Sequence, residues 1–363
     1  MAISKENMKT ICYLAPTYNN PRNSEGDFLK LKDGRIIFAY SRYFSGNNWD
    51  DEAPCSIAAV FSDDNGETFG TEPVILATAA EFGEKNVMSV SLLEMGNGDA
   101  GLFYILKHAN GTSEYILKRS NDNCKSFYAT IKCAPEIHKG YYEICNCRVI
   151  KLASGRILIP SSIARQTVGD NGKYYYSNRT DAYFYYSDDD GFTWHECPVG
   201  IFMPMNMNTN TGLQEPGVVE IRDNVIYAFF RTDLHVQYES YSIDGGLRWT
   251  PAQPSKFTSP AAPMVIRSNP YSGKFYAIWN PIPSYNGRSN SRHSWDRTPL
   301  VIAESNDGLN FWNIVALDDD QEHGFCYPSV YFLDAETAMV AYCSGGEEEK
   351  GCLCRITIKK IIL

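Results

Sequence analysis

The stretch Ser187-Asp188-Asp189-Asp190-Gly191-Phe192-Thr193-Trp194 reads Ser-x-Asp-x-Gly-x-Thr-Trp, a compact turn joining two strands. The Ser hydroxyl and Asp carboxylate bond local backbone groups, Gly permits positive φ, and Trp tucks beneath the turn. One copy would mean little, because Asp-Gly turns are common. The pattern returns, however, at Ser62-Asp63-Asp64-Asn65-Gly66-Glu67-Thr68-Phe69 and at Ser242-Ile243-Asp244-Gly245-Gly246-Leu247-Arg248-Trp249. Ser305-Asn306-Asp307-Gly308-Leu309-Asn310-Phe311-Trp312 keeps the ends and shifts the Gly by one; Ser120-Asn121-Asp122-Asn123-Cys124-Lys125-Ser126-Phe127 is the most eroded copy. The copies recur about every 60 residues, a period that fits propeller blades.

Working outward, short apolar or alternating runs separated by Gly and Asp turns precede each copy. In the first unit they lie at 27–31, 35–40 and 56–61; in the second at 87–93, 101–105 and 115–117. The third has 148–152, 156–159 and 182–186, the fourth 217–221, 225–230 and 237–241, the fifth 264–267, 275–279 and 300–303. A sixth unit, at 329–333, 338–342 and 354–358, lacks the turn and runs out before a fourth strand. The run Thr10-Ile11-Cys12-Tyr13-Leu14 can supply that strand, removing two exposed sheet edges. The expectation is an all-β, six-bladed β-propeller closed by the N-terminal strand. With no Pro- or Ser-rich linker, residues 1–363 read as a single domain.

Composition narrows the function. A net charge of −10, a pI near 5.2 and no long basic run argue against nucleic acid and anionic membrane surfaces as partners. The 24 Tyr, 18 Phe and 6 Trp suit strands and carbohydrate sites alike. The N-terminus lacks an apolar signal-peptide core, and no stretch has the length of a membrane span. The 11 Cys form an odd set, which points to reduced thiols and a cytoplasmic location. Cys145-Asn146-Cys147 and Cys352-Leu353-Cys354 lack the usual zinc spacing and read as buried thiols, so no metal or other cofactor is expected.

In a propeller the innermost strands all start at one end of the central channel. Those starts are 24–27, 86–89, 146–148, 214–217, 260–263 and 326–329, and they are polar, charged or Pro-rich where a buried strand needs none of that. This ring is the expected site.

The repeated turns resemble the Asp boxes of the sialidase (neuraminidase) superfamily, and the wording of the chain is similar to a bacterial sialidase-like branch. The resemblance implies a propeller, and an exo-acting retaining glycoside hydrolase that removes terminal sialic acid. It implies roles for particular residues. Tyr327, opening the last unit, matches the nucleophile; Glu215, opening the fourth, matches its partner base. Asp50 or Asp51, between strands of the first unit, matches the acid/base aspartate. Arg231 and Arg297 match two of the three arginines that grip the substrate carboxylate. The chemistry suits these types: a tyrosine avoids the repulsion that a carboxylate nucleophile would meet beside the sugar's own carboxylate, and guanidinium forks match carboxylate oxygens.

One departure is plain. The family's Arg-Ile-Pro motif is replaced by Arg22-Asn23-Ser24-Glu25-Gly26-Asp27. Arg22 can fill the first arginine's role from a shifted position, while Glu25 or Asp27 facing the channel would repel an anion. Asp27 and Arg148, at two inner-strand starts, are further substrate-binding candidates; Arg42, Arg165, Arg288 and Arg292 compete for the charge role. The expected partner is thus a carbohydrate, an acidic sugar first. A neutral sugar, or a binding propeller without turnover, stands as the alternative.

Overall fold

The computed structural model describes residues 3–46, 50–135, 138, 140–204, 207–283 and 293–363; Arg288 and Arg292 lie outside them. It is an all-β propeller whose helix is limited to the 3-10 turns Lys5–Asn7 and Ala79–Phe82 among the described residues. Among those residues no helix is long and apolar enough to cross a membrane.

Two sheets are plain antiparallel meanders. Gln214–Arg222, Val225–Arg231, Val236–Ser242 and Gln253–Thr258 follow one another across the first, and Val265–Ser268, Phe275–Trp279, Leu300–Ser305 and Trp312–Asp318 across the second. A third sheet centres on Ile157–Val168, which pairs with Asp181–Ser187 on one side and with both Gly140–Glu143 and Ile150–Lys151 on the other. Its end projects as a hairpin with Tyr174–Tyr176. In the last sheet Gly324–Phe332, Thr337–Gly345 and Arg355–Ile362 are joined by Met8–Leu14, running antiparallel with Met8 opposite Ile361 and Leu14 opposite Ile356.

The count of six units needs a correction at the level of hydrogen bonding. Five bonded sheets form among the described residues, because one holds eight strands. That sheet contains two meanders, one starting at Arg22–Lys30 and one at Asn86–Glu94, linked by a single parallel bridge between Cys55 and Asn86. Asn86 explains the link: its side-chain amide donates to the carbonyls of Asp51 and Ala53, 3.0 and 2.6 Å away, drawing the two meanders together at the site end.

The repeated turns form as their residues dictate. In the first one read, Asp189 accepts from the Ser187 hydroxyl at 2.8 Å and from the Thr193 amide at 2.8 Å, while the Gly191 amide donates to Ser187 at 2.8 Å. Trp194 then packs edge-on against Phe103 of the preceding meander, ring centres 6.2 Å apart. Burial of such aromatics between neighbouring sheets is the main cohesive term. Between the first and last sheets the same work falls to Leu14, Phe28, Phe38, Met339, Ile356 and Ile358.

Candidate functional site

The inner strands share a local feature that aims side chains into the channel. Pairing registers slip at Ser24/Gly26, Met88/Ser91, Gln214/Gly217 and Cys326/Ser329, the mark of β-bulges. At these positions Glu25, Ser89, Glu215 and Tyr327 take φ of 51°, 57°, 44° and 53°, and Cys147 takes 50° before the third sheet's Ile150–Lys151. Left-handed backbone costs an L-residue roughly 1–2 kcal/mol. Non-glycine residues holding it at matching points of several strands make this ring the candidate site. The glycines just beyond serve packing: a Cβ on Gly26 would lie 2.2 Å from the Phe38 ring, and one on Gly217 2.2 Å from Phe229.

Two bulged side chains meet directly. The Tyr327 hydroxyl donates to Glu215 Oε1 at 2.7 Å, and Arg231 Nη1 lies 2.9 Å from the same oxygen. Burial favours a neutral Glu215, but the Arg231 charge, the Tyr327 hydroxyl and Arg297 outweigh it and hold the carboxyl below its ordinary value. Tyr327 shifts the other way: burial, then the Glu215 charge, push its hydroxyl well above the ordinary range. The tyrosine is thus neutral at rest and bonded to an ionised carboxylate. Arg297 sits 5.6 Å from the Tyr327 ring centre, its guanidinium donating to Cys326 Sγ and the Ala261 carbonyl, each at 3.2 Å.

A second cluster gathers at the first inner strand. Arg22 is 1% exposed and pairs with Asp51 at 2.6 Å, with Glu25 3.6 Å away and the Tyr43 ring under its guanidinium at 4.3 Å. Asp51 is half exposed, the position an acid/base needs to reach a leaving group or water. Asp50 stays in its turn, accepting the Glu52 amide at 3.2 Å. Of the two, the structure brings Asp51 to the ring.

Not every candidate joins it. Both Asp27 oxygens are taken by backbone amides, Phe28 at 2.8 Å and Leu92 at 2.9 Å, so this side chain staples two inner strands. Arg148 is buried over the Phe229 ring, 5.6 Å from its centre. Arg42 bonds Asn20 at 3.2 Å and Arg165 forms a surface pair with Asp181 at 2.9 Å. Among the described residues no three His, Cys, Asp or Glu side chains converge as a metal site.

The structure also gives Glu25 a partner and adds Glu143 and Ser162. Glu25 accepts the Ser89 hydroxyl at 2.6 Å and is pushed up to about 7 by burial. Glu143 accepts the Ser162 hydroxyl at 2.6 Å, while Ser162 receives the Glu215 amide at 3.2 Å. Burial and the Glu215 charge raise Glu143 to about 7. Beside this pair lies a cavity of about 200 Å³ lined by Lys107, Tyr141, Glu143, Tyr176 and Gln214. A Glu after paired tyrosines carries no signal in sequence, because only the bulge at Glu215 makes the two acids neighbours.

Comparison with known proteins bears on the fold. The family described as BNR repeat-like domain matches residues 39–338. No curated protein matches. Among solved structures, a protein of unknown function from Dyadobacter fermentans superposes with a TM-score of 0.70 at 17% identity, covering 98% of this chain and 99% of that one. The intramolecular trans-sialidase of Ruminococcus gnavus, in complex with oseltamivir carboxylate, gives 0.70 at 14% identity, covering 97% and 96%. The Trypanosoma rangeli sialidase in complex with sialic acid gives 0.68 at 14%, covering 99% of this chain and 58% of that one. At such identities the likeness is one of fold.

Proposed function

This chain belongs to the BNR repeat-like family, and on that premise we propose that it is an exo-acting retaining glycoside hydrolase of sialidase type, acting on an acidic sugar and first on terminal sialic acid. The observation that carries the reading is the 2.7 Å bond between the Tyr327 hydroxyl and an ionised Glu215, built on two bulges. In the proposed reaction Tyr327 attacks the anomeric carbon as Glu215 takes its proton. Asp51 protonates the departing oxygen, then removes a proton from the water that releases the sugar from Tyr327, whose oxygen takes its proton back from Glu215. Arg231 and Arg297 receive the substrate carboxylate, with Arg22 as the third arginine. The 17% exposure of Arg231 leaves its fork partly open to a ligand.

We count the scaffold as six blades in one domain, taking the eight-stranded sheet as two. The pairing of Met8–Leu14 with Arg355–Ile362 supports closure by the N-terminal strand. A cytoplasmic place of action goes with the eleven free thiols.

A second reading, hydrolysis of another acidic or a neutral sugar, is favoured by one observation: Arg22 already faces Asp51 and Glu25. Turnover of a fluorogenic sialoside measured beside a panel of other glycosides separates the two. Release from the sialoside alone supports the first reading, and release from a neutral glycoside alone replaces it with the second. No turnover on any member would favour a binding propeller.

A further inference from the structure

We propose that Ser162, held by Glu143, is a positioning residue for Glu215 in the reaction proposed above, on which this role depends: its hydroxyl fixes the bulged backbone from which the carboxylate reaches Tyr327. A β-bulge leaves its extra residue out of the ladder, so a buried amide there must find another acceptor. Glu215 lies in such a gap, between the paired residues Gln214 and Gly217. Its amide donates to Ser162 Oγ at 3.2 Å, on the strand Ile157–Val168 of the preceding meander.

The same latch recurs around the ring. The Glu25 amide donates to Cys343 Sγ at 3.2 Å, and the Ser89 amide to Ser41 Oγ at 2.9 Å. In each case a residue of positive φ on an inner strand is tied to a small polar side chain on the second strand of the meander before it. Ser41, Ser162 and Cys343 are all buried, so water does not compete for these amides. An acceptor of this kind at three places belongs to the way the bulges are held.

Two features give the latch at Glu215 a chemical consequence. Its carboxylate is anchored through one oxygen: Oε1 takes the Tyr327 hydroxyl at 2.7 Å and Arg231 at 2.9 Å, while Oε2 has no hydrogen-bond partner among the described residues. With no second anchor, a shift of the bulge moves the oxygen that Tyr327 needs, and the bond to Ser162 opposes relaxation of a φ of 44° towards the extended region. The Ser162 hydroxyl is itself prevented from turning away. Its proton goes to Glu143 Oε2 at 2.6 Å, across the register pair Glu143–Ser162, which leaves its lone pairs for the Glu215 amide.

The test compares Ser162→Ala, which removes the acceptor, with Ser162→Cys, which restores one of the kind found at Cys343. Crystal structures of wild type and both variants read the Tyr327–Glu215 bond, and a fluorogenic sialoside reads kcat and KM. In Ser162→Ala the bond should open beyond about 3.5 Å, and kcat should fall by about 10-fold or more with KM changed by less than about 2-fold. Ser162→Cys should return the bond and most of the rate. Ser91→Ala is the structural control: it deletes a buried hydroxyl that accepts the Arg148 amide at 2.9 Å, and should lower Tm while leaving kcat alone. If Ser162→Ala does not fold, Glu143→Ala, which frees the Ser162 hydroxyl to rotate, is read in the same way. An unchanged Tyr327–Glu215 bond overturns the proposal whatever the rate, and so does an opened bond with wild-type kcat. An opened bond in a protein whose wild type turns over no sialoside supports the positioning and defeats the sialidase reading instead.

Discussion

A tyrosine hydroxyl, with an ordinary pKa of about 10, is a weak nucleophile near neutrality, and burial weakens Tyr327 further. The proposed chemistry therefore turns on how Glu215 is kept ionised, which is the work of Arg231 at 2.9 Å. Replacing Arg231 with Lys retains the charge but loses the planar fork that serves Glu215 and a substrate carboxylate together. On a sialoside, kcat/KM should fall by about 10²-fold or more, measured beside an unchanged unfolding profile; a near-wild-type rate would remove Arg231 from the site. Glu25 offers a test in pH. Its folded carboxyl sits at about 7, above an ordinary value of about 4.3, so between those values the folded chain binds the extra proton. Stability from this group is therefore greatest at low pH and falls as pH rises towards 7, by at most about 1.4 kcal/mol per pH unit. Glu25→Gln should reduce the decline of Tm between pH 5 and 7.5, leaving the slopes from Glu143 and Asp27. An unchanged slope would mean that Glu25 is solvated.

At the scale of the element, turns and bulges behave differently. The repeated turns were legible because each is a local circuit: Ser, Asp, Gly and an aromatic bond or pack within eight residues. Their stabilising share is modest, since the Asp189 carboxylate is exposed. Asp189→Ala should lower stability by about 1 kcal/mol in chemical denaturation and leave sugar affinity of the folded protein alone. Lost affinity with unchanged stability would tie the turn to the site. The bulges left almost no trace in sequence. An extra residue breaks the in-out alternation from which facing is read, so Glu25 and Glu215 are recognisable as strand-start acids, but their aim is not. Hence Tyr327, Glu215, Arg231 and Arg22 were legible as candidates, and Glu143 and Ser162 were not. Asp27 shows the converse: a charge at a strand start looked like a ligand contact and proves to cap two amides.

At the scale of the whole molecule, the ring depends on closure, because its residues come from both ends of the chain. In the proposed site Arg22 and Tyr327 act together only while the first and last sheets stay packed through Leu14, Phe28, Ile356 and Ile358. Removing residues 1–15 takes away the strand opposite Arg355–Ile362 and bares a sheet edge. The shortened chain should melt at least about 5 °C lower and aggregate with rising concentration; equal melting would show that the strand is dispensable. The central claim, that Tyr327 forms a covalent bond to the sugar, is tested most directly by trapping with a fluorinated sialic acid and mapping the adduct by peptide mass spectrometry. The account predicts one added sugar on the peptide containing Tyr327, absent in Tyr327→Phe. An active enzyme whose adduct lies on any other residue would contradict it.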